Sequence, residues 1–302
     1  MPTRPEPAAG DGAQEHSRRR RTIAGWSLGL VGGAVLVGGV VIYGWMIDET
    51  HFDRPSARFD ELAARVEAAP GVSEVSTERW VEAPTFAQPT SWLSATVDAA
   101  ALPAVLDEVC AGDHPDPVTM SLRVRTAAGT TVSLHGEAAA APRAADAVCP
   151  AFGFDAAPLV SALDEVVPGL EVQPAVWDAG RFAIVATADP AAPLSALLPL
   201  VAHADDLARA AGRDPGEPIE INAATLGLTV AAGERGRTQA LLRELADERG
   251  VVAFWADDGS GRSDGAPQVQ VTAPAAQHAA ITRAIRASGL AFADYEISAA
   301  EG

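Results

Sequence analysis

The chain has 302 residues, a length typical of about two domains, and 48% of them are hydrophobic. Its 40 acidic and 22 basic residues give a net charge of -18, which argues against nucleic acid as a partner because binding would require neutralising phosphates. Residues 1–21 carry five arginines against three acids, a net +2, so the rest of the chain carries -20 (-18 minus 2).

A membrane anchor is predicted near the N-terminus. Residues 22–47 form a run of 26 uncharged residues, long enough as a helix to cross the roughly 30 Å hydrocarbon layer of a bilayer. Arg18 to Arg21 precede the run, and Asp48 and Glu49 follow it, so the positive-inside rule places the N-terminus in the cytoplasm. The polar tail, residues 1–21, is predicted to be disordered. We therefore expect a single-pass protein of the cell membrane with an extracytoplasmic C-terminal region.

Other targeting signals fit the same run less well. A cleaved signal peptide has a shorter apolar core, of about 7–15 residues, and ends at a small-x-small site that is missing here. A lipoprotein needs a cysteine at the end of the run, whereas the first cysteine is Cys110. A twin-arginine export signal stays open as an alternative, because RRTI at residues 20–23 loosely matches its motif.

Three glycines recur every four residues in the predicted anchor. Gly25, Gly29 and Gly33 lie on one helix face, where small residues let a second helix approach closely. This spacing predicts self-association through the anchor. The alternative is that these glycines have no specific role, since glycine is common in membrane helices.

Downstream of the anchor, one order of elements is predicted three times. A helical pattern ends at a glycine suited to a positive-φ cap, and two strands, a second helical pattern and a closing strand follow. The three glycines are Gly71, Gly169 and Gly250. The second strands alternate apolar residues at Leu93, Ala95 and Val97, at Phe182, Ile184 and Ala186, and at Val269, Val271 and Ala273. Duplication accounts for this agreement, although any α+β protein gives a similar alternation by chance.

The predicted fold class is α+β, with three small repeated modules. A linker at 48–55 leads to modules at 56–137, 156–223 and 224–302, with a second linker at 138–155. In the closing strand of the second module the apolar parity slips near Ala224, which indicates a bulge or turn. The last module then reads β-α-β-β-α-β, the order of the ferredoxin-like, split βαβ arrangement, which is the type expected for all three modules. That superfold hosts many activities and implies none.

The two cysteines are predicted to form a disulfide. Cys110 and Cys149 both end apolar helical stretches, and an extracytoplasmic location allows disulfides to persist. Two buried thiols are the main alternative. A metal pair is a weaker alternative, because the two cysteines lack the close spacing of structural zinc ligands.

Two polar clusters contain residue types that bind metal ions. One holds Asp113, His114 and Asp116 in a turn rich in proline, and the other is AHADD at residues 202–206. Both are better explained as solvated surface. Residues 257–265 are interpreted as a flexible hairpin connection, and the sequence offers no catalytic constellation, so no catalytic, cofactor or metal residues are predicted.

Four tryptophans lie on or beside predicted strands. Trp80, Trp92, Trp177 and Trp255 either form interfaces or close small cores. Repeated modules without catalytic groups indicate a binding protein, so the expected function is that of a cell-envelope interaction or scaffold protein, and not an enzyme. The alternative is an extracytoplasmic sensor or carrier that holds a small ligand or divalent cation between modules. A membrane-bound hydrolase is a third possibility.

Overall fold

The computed structural model describes residues 51–82, 89–111, 118–138, 149–177, 180–188, 191–257, 268–290 and 294–300. The predicted tail, the predicted anchor and its three glycines lie outside these residues. Among the residues described, no helix combines the length and hydropathy needed to cross a membrane.

The described residues form an α+β fold with seven α-helices and a mixed sheet. The helices are α1 (Ala57–Glu67), α2 (Leu102–Ala111), α3 (Ala156–Val166), α4 (Leu194–Ala202), α5 (Ala204–Ala210), α6 (Arg235–Arg249) and α7 (His278–Ala287). The strands are β1 (His51–Asp53), β2 (Val72–Glu82), β3 (Thr90–Asp98), β4 (Val118–Arg125), β5 (Thr131–Ala138), β6 (Pro150–Ala151), β7 (Glu171–Val176), β8 (Phe182–Ala186), β9 (Ile219–Asn222), β10 (Leu226–Val230), β11 (Ala253–Asp257), β12 (Gln268–Ala273) and β13 (Asp294–Ala299).

Helix ends follow local sequence signals. Helix α1 begins after Ser56, whose hydroxyl accepts a hydrogen bond from the Phe59 amide at 3.5 Å, and it buries one apolar face. Helix α6 ends at Gly250, whose φ of 64° lets the following Val251 amide donate back to the Leu245 carbonyl. Gly71 and Gly169 also have positive φ, but α1 and α3 are capped by Ala68 and Val167, so of the three predicted glycine caps the one at Gly250 is confirmed.

The chain divides into two compact units, residues 1–53 with 80–87, and residues 54–79 with 88–302. In the first unit, β1 pairs antiparallel with the last residues of β2. All elements from α1 onward, apart from that end of β2, belong to the second unit.

The strands of the second unit lie in the sheet in sequence order. From β2 the order is β2-β3-β4-β5-β7-β8-β9-β10-β11-β12-β13, and the short β6 pairs only with β5. Strands joined through helices are parallel neighbours, as in β3-β4, β10-β11 and β12-β13. Hairpins are antiparallel, as in β4-β5.

The split βαβ arrangement predicted for the three modules is wrong. A split unit places another strand between the two strands that its helix connects. Here the connected strands pair directly, in β3-β4, β8-β9 and β10-β11. The predicted order of elements from β10 to β13 is correct. Periodicity specifies elements but not their partners, and consecutive strands commonly pair or lie next to each other.

The parity slip near Ala224 is confirmed as a turn. Strand β9 ends at Asn222, β10 begins at Leu226, and the two strands pair antiparallel. The slip therefore separates two neighbouring strands of the sheet.

The sheet has a core face and an open face. Alternate strand residues join the helices in one buried cluster that includes the predicted Leu93, Val97, Val269 and Val271. The intervening side chains form what we call the open face, where side chains of β3, β4, β5, β12 and β13 such as Ser94, Arg123, His135, Gln270 and Glu296 are half-buried or exposed.

Candidate functional site

The predicted cysteine pair lies at disulfide distance. The Sγ atoms of Cys110, at the end of α2, and Cys149, just before β6, are 2.14 Å apart, and the Cα atoms are 4.6 Å apart. The pair places the C-terminal end of α2 beside the segment that leads into α3, at the distance that the expected disulfide requires.

Of the two polar clusters with metal-binding residue types, the structure describes one. Asp113, His114 and Asp116 lie outside the described residues, as do residues 258–265. His203 lies between α4 and α5, and its Nδ1 is 3.5 Å from Oδ2 of Asp206 in the first turn of α5. Asp205 instead pairs with Arg235 of α6. In the portions of the chain that the structure describes, no group of three His, Cys, Asp or Glu residues is placed to hold a metal ion.

A cavity of about 280 Å³ lies on the open face over β3, β4 and β5. Two rows of paired residues cross these strands. The first row is Ser94, Ser121 and His135, and the second is Thr96, Arg123 and Ser133. We call this set the Ser121 cavity. It exists because three serines are too short to fill the space left between longer side chains.

A hydrogen-bond chain borders the Ser121 cavity. The indole Nε1 of Trp92 lies 3.1 Å from the Ser121 hydroxyl, which lies 3.0 Å from Nδ1 of His135. An indole N–H only donates, so Ser121 accepts from Trp92. The Ser121 hydroxyl either donates to Nδ1 of His135 or accepts from it, according to the imidazole tautomer.

Glu74 of β2 adds a carboxylate to the Ser121 cavity. Its φ of 55° is the one positive value recorded for a non-glycine residue among the described residues. Its Oε2 accepts a hydrogen bond of 2.8 Å from the hydroxyl of Thr96, which is only 5% exposed. Positive φ is uncommon for such a residue and is typical of a bulge or a functional site.

Three charged side chains lie at or beside the Ser121 cavity. Arg123 forms an ion pair of 3.3 Å with Glu171 of β7, and Glu74 supplies a further negative charge. These three charged groups sum to -1.

A different surface covers the other end of the open face. The residues Asn222, Gly227, Trp255, Gln270 and Glu296 lie side by side across β9 to β13. We call them the Trp255 row. The indole covers Gly227 so closely that a Cβ added there would lie 2.7 Å from Trp255 Cδ1. The half-buried indole therefore forms a flat platform flanked by amides.

A larger cleft of about 620 Å³ lies between the start of α2 and helix α3. Its rim holds an ion pair of 3.4 Å between Asp98 and Arg125. On its other side, Asp164 accepts hydrogen bonds from the Thr126 hydroxyl and the Ala128 amide. Desolvation raises the pKa of Asp164, but hydrogen bonds from Thr126, Ala128 and Thr130 outweigh it and leave the pKa below its ordinary value.

The sequence missed most of these surfaces. The sequence indicates Trp255 and Trp92 as candidate interface residues. It does not indicate Ser121, Glu74 or Thr96 as site residues. Alternation alone places Ser94 and Ser121 on the open face. Their alignment with His135 depends on strand register, which alternation does not specify.

No protein-family model, curated protein or solved structure matches the chain.

Proposed function

We propose that the chain is a single-pass membrane protein whose extracytoplasmic region is a scaffold that binds a protein of the cell envelope, without catalysis. Residues 22–47 form its anchor, and the tail before the anchor lies in the cytoplasm. Two anchors associate through Gly25, Gly29 and Gly33. The extracytoplasmic region consists of three related segments. The order of the elements supports this division. Each segment runs helix, strand, strand, helix, strand, and the segments begin at α1, α3 and α6; the second contains the additional helix α5.

The Trp255 row is the observation that carries the proposed partner surface. Tryptophan is enriched in protein interfaces, and a half-buried indole offers apolar area at little cost in side-chain entropy. Asn222 and Gln270 beside it supply amide donors and acceptors.

Charge selects the kind of partner. The open face of β9 to β13 carries Glu220, Asp257, Asp294 and Glu296, and the chain downstream of the tail has a net charge of -20 (-18 minus 2). Such a surface attracts a protein with a basic patch and steers its approach. Binding to the Trp255 row should therefore weaken as salt concentration rises.

The test uses charge reversal on the full chain purified from solubilised membranes. Asp294→Arg with Glu296→Arg reverses two exposed acids of β13, and Glu61→Arg with Glu67→Arg makes the same change in net charge on α1. We expect the β13 variant to lose a co-purifying protein that the wild type and the α1 variant retain. Equal capture by all three chains would contradict the proposed surface.

The anchor has its own test. Fractionation should find the intact chain with the membranes, extractable only by detergent. An extracytoplasmic soluble form shortened by roughly 45 residues would instead establish a cleaved export signal.

A second candidate function is that of a sensor or carrier, and the cleft beside Asp98 favours it. The cleft has a volume within the range of small-molecule sites and joins residues of the first two segments. A thermal-shift series with Mg²⁺, Ca²⁺, Zn²⁺ and amino acids should then raise the melting temperature of the wild type more than that of Asp98→Asn. No shift with any of these probes would reject the sensor or carrier.

A further inference from the structure

We infer that the Ser121 cavity is a binding site for one ring of a neutral, polyhydroxylated ligand, namely a sugar unit. This site is separate from the Trp255 row and does not depend on the proposed protein partner. The inference rests on the kinds of polar groups in the cavity, on their net charge and on their fixed positions.

The cavity combines donors and acceptors at short range. Ser94 and Ser133 carry hydroxyls that both donate and accept, and the imidazole of His135 adds a ring nitrogen that donates or accepts according to its tautomer. The carboxylate of Glu74 accepts, and the guanidinium of Arg123 donates. A sugar hydroxyl is itself both a donor and an acceptor, so a mixed lining of this kind satisfies several hydroxyls on one ring.

The net charge beside the cavity argues against an anionic ligand. Serines with an arginine and a histidine would also suit an oxyanion, but Arg123 is already paired with Glu171 at 3.3 Å. Glu74 adds an unbalanced negative charge at the cavity. A phosphate or carboxylate would therefore meet repulsion, whereas an uncharged hydroxyl would not.

The positions of the polar groups are fixed before any ligand binds. Trp92 holds Ser121, Ser121 holds His135, and the buried hydroxyl of Thr96 holds the Glu74 carboxylate. Glu74 keeps this contact despite a φ of 55°. Preorganised polar groups lose little entropy on binding, which matters for a small ligand.

Cavity size agrees with one ring. Its volume of about 280 Å³ is just below the lower end of the range for drug-sized ligands. An open site of this size buries only part of its ligand, so we expect dissociation constants on the order of 1 mM for single sugars.

The test is saturation-transfer NMR on the full chain in a detergent that contains no sugar. The probes are glucose, mannose, galactose and N-acetylglucosamine, with inorganic phosphate followed by its own phosphorus resonance. Maltotriose and chitotriose distinguish a glycan from a free sugar, since a glycan site should saturate the oligosaccharide more strongly than the monosaccharide.

Two variants localise the binding. Ser133→Val removes a cavity hydroxyl, and Thr229→Val makes a similar change on β10, on the same face but outside the cavity. We expect transfer to at least one sugar, weakened about tenfold by Ser133→Val and unchanged by Thr229→Val. Both variants should keep the wild-type melting temperature within about 3 °C.

Three outcomes would overturn the sugar site. They are no transfer to any of the sugars, equal transfer in Ser133→Val and the wild type, and broadening of phosphate alone. Protein capture through the Trp255 row should stay unchanged in Ser133→Val, so a failure here leaves the scaffold proposal to its own test.

Discussion

The Ser121 cavity and the Trp255 row lie on the same face of one sheet, yet they offer opposite surfaces. In the first, short serines leave a depression between longer polar side chains. In the second, a tryptophan fills the space over a glycine and makes a platform. The strands at both sites alternate in the same way between the core face and the open face. Side-chain size on the open face therefore decides whether the sheet forms a cavity or a contact surface.

The two regions also differ in how they are held. Near the Ser121 cavity, the Cys110–Cys149 bond fixes the end of α2, and Asp164 of α3 holds the turn between β4 and β5. Around the Trp255 row, the support comes from packing of α6 and α7 against β10 to β13. Both regions share one buried apolar cluster, and the first region has these specific bonds in addition.

Removing the disulfide should have the largest effect on this contrast. The bond spans a sequence separation of 39, and replacing both cysteines by serine should cost about 4 kcal/mol of unfolding free energy on the chain-entropy model. Denaturant unfolding measures the loss, and amide exchange should accelerate in β3 to β5 more than in β10 to β13. Reductant should reproduce the effect in the wild type and change nothing in the double variant. Equal unfolding midpoints for the two chains would contradict the prediction.

The next effect is expected at Gly227, under the indole of the Trp255 row. Gly227→Ala introduces a Cβ only 2.7 Å from Trp255 Cδ1, so the indole must move, at a cost of about 1–3 kcal/mol. Tryptophan fluorescence should shift as well. The control is Gly236→Ala in α6, where a Cβ meets nothing within 4 Å and where alanine should stabilise the helix by up to about 1 kcal/mol. A Gly227 variant as stable as the wild type would contradict this packing.

The sequence predicts the elements of both regions better than their assembly. Alternation identified Leu93 and Val97, and Val269 and Val271, as core positions because burial on one face of a strand has a period of two. The positive φ at Gly71, Gly169 and Gly250 was predictable because positive φ has a strong residue preference. The strand order was not predictable, since it depends on which neighbours bury the most surface together.

Site residues were harder to predict than the fold. The cysteine pair was predicted because only one pairing exists for two cysteines. Glu74 carries no signal in the sequence for its positive φ. Helix α4 contains Pro199, and His203 separates α4 from α5, a break that the helical pattern did not indicate.

Replacing Asp164 should have a smaller effect on stability, confined to the region of the Ser121 cavity. Its folded-state pKa lies below the ordinary 3.8, so its contribution to stability is complete above that pH and is lost as pH falls through the folded-state value. Asp164→Asn should therefore lower stability at about pH 7, by about 1 kcal/mol or less for a half-exposed group, and match the wild type at about pH 2. Asp247→Asn, on the exposed side of α6, is the control for removing one charge. A difference between Asp164→Asn and the wild type that persists at low pH would contradict this assignment.

The smallest effect tests the hydrogen-bond chain itself. Ser121→Ala removes the acceptor of Trp92 and the partner of His135, and because water replaces half-exposed bonds the cost should be about 0.5–1 kcal/mol. NMR of the indole N–H protons gives the sharper result, since the Trp92 resonance should move while that of Trp255 stays in place. Ser94→Ala, the neighbouring serine of the same row, should leave both resonances unchanged. If the Trp255 resonance moved as far as that of Trp92, the two regions of the open face would be coupled, and a ligand in the Ser121 cavity would be sensed at the Trp255 row.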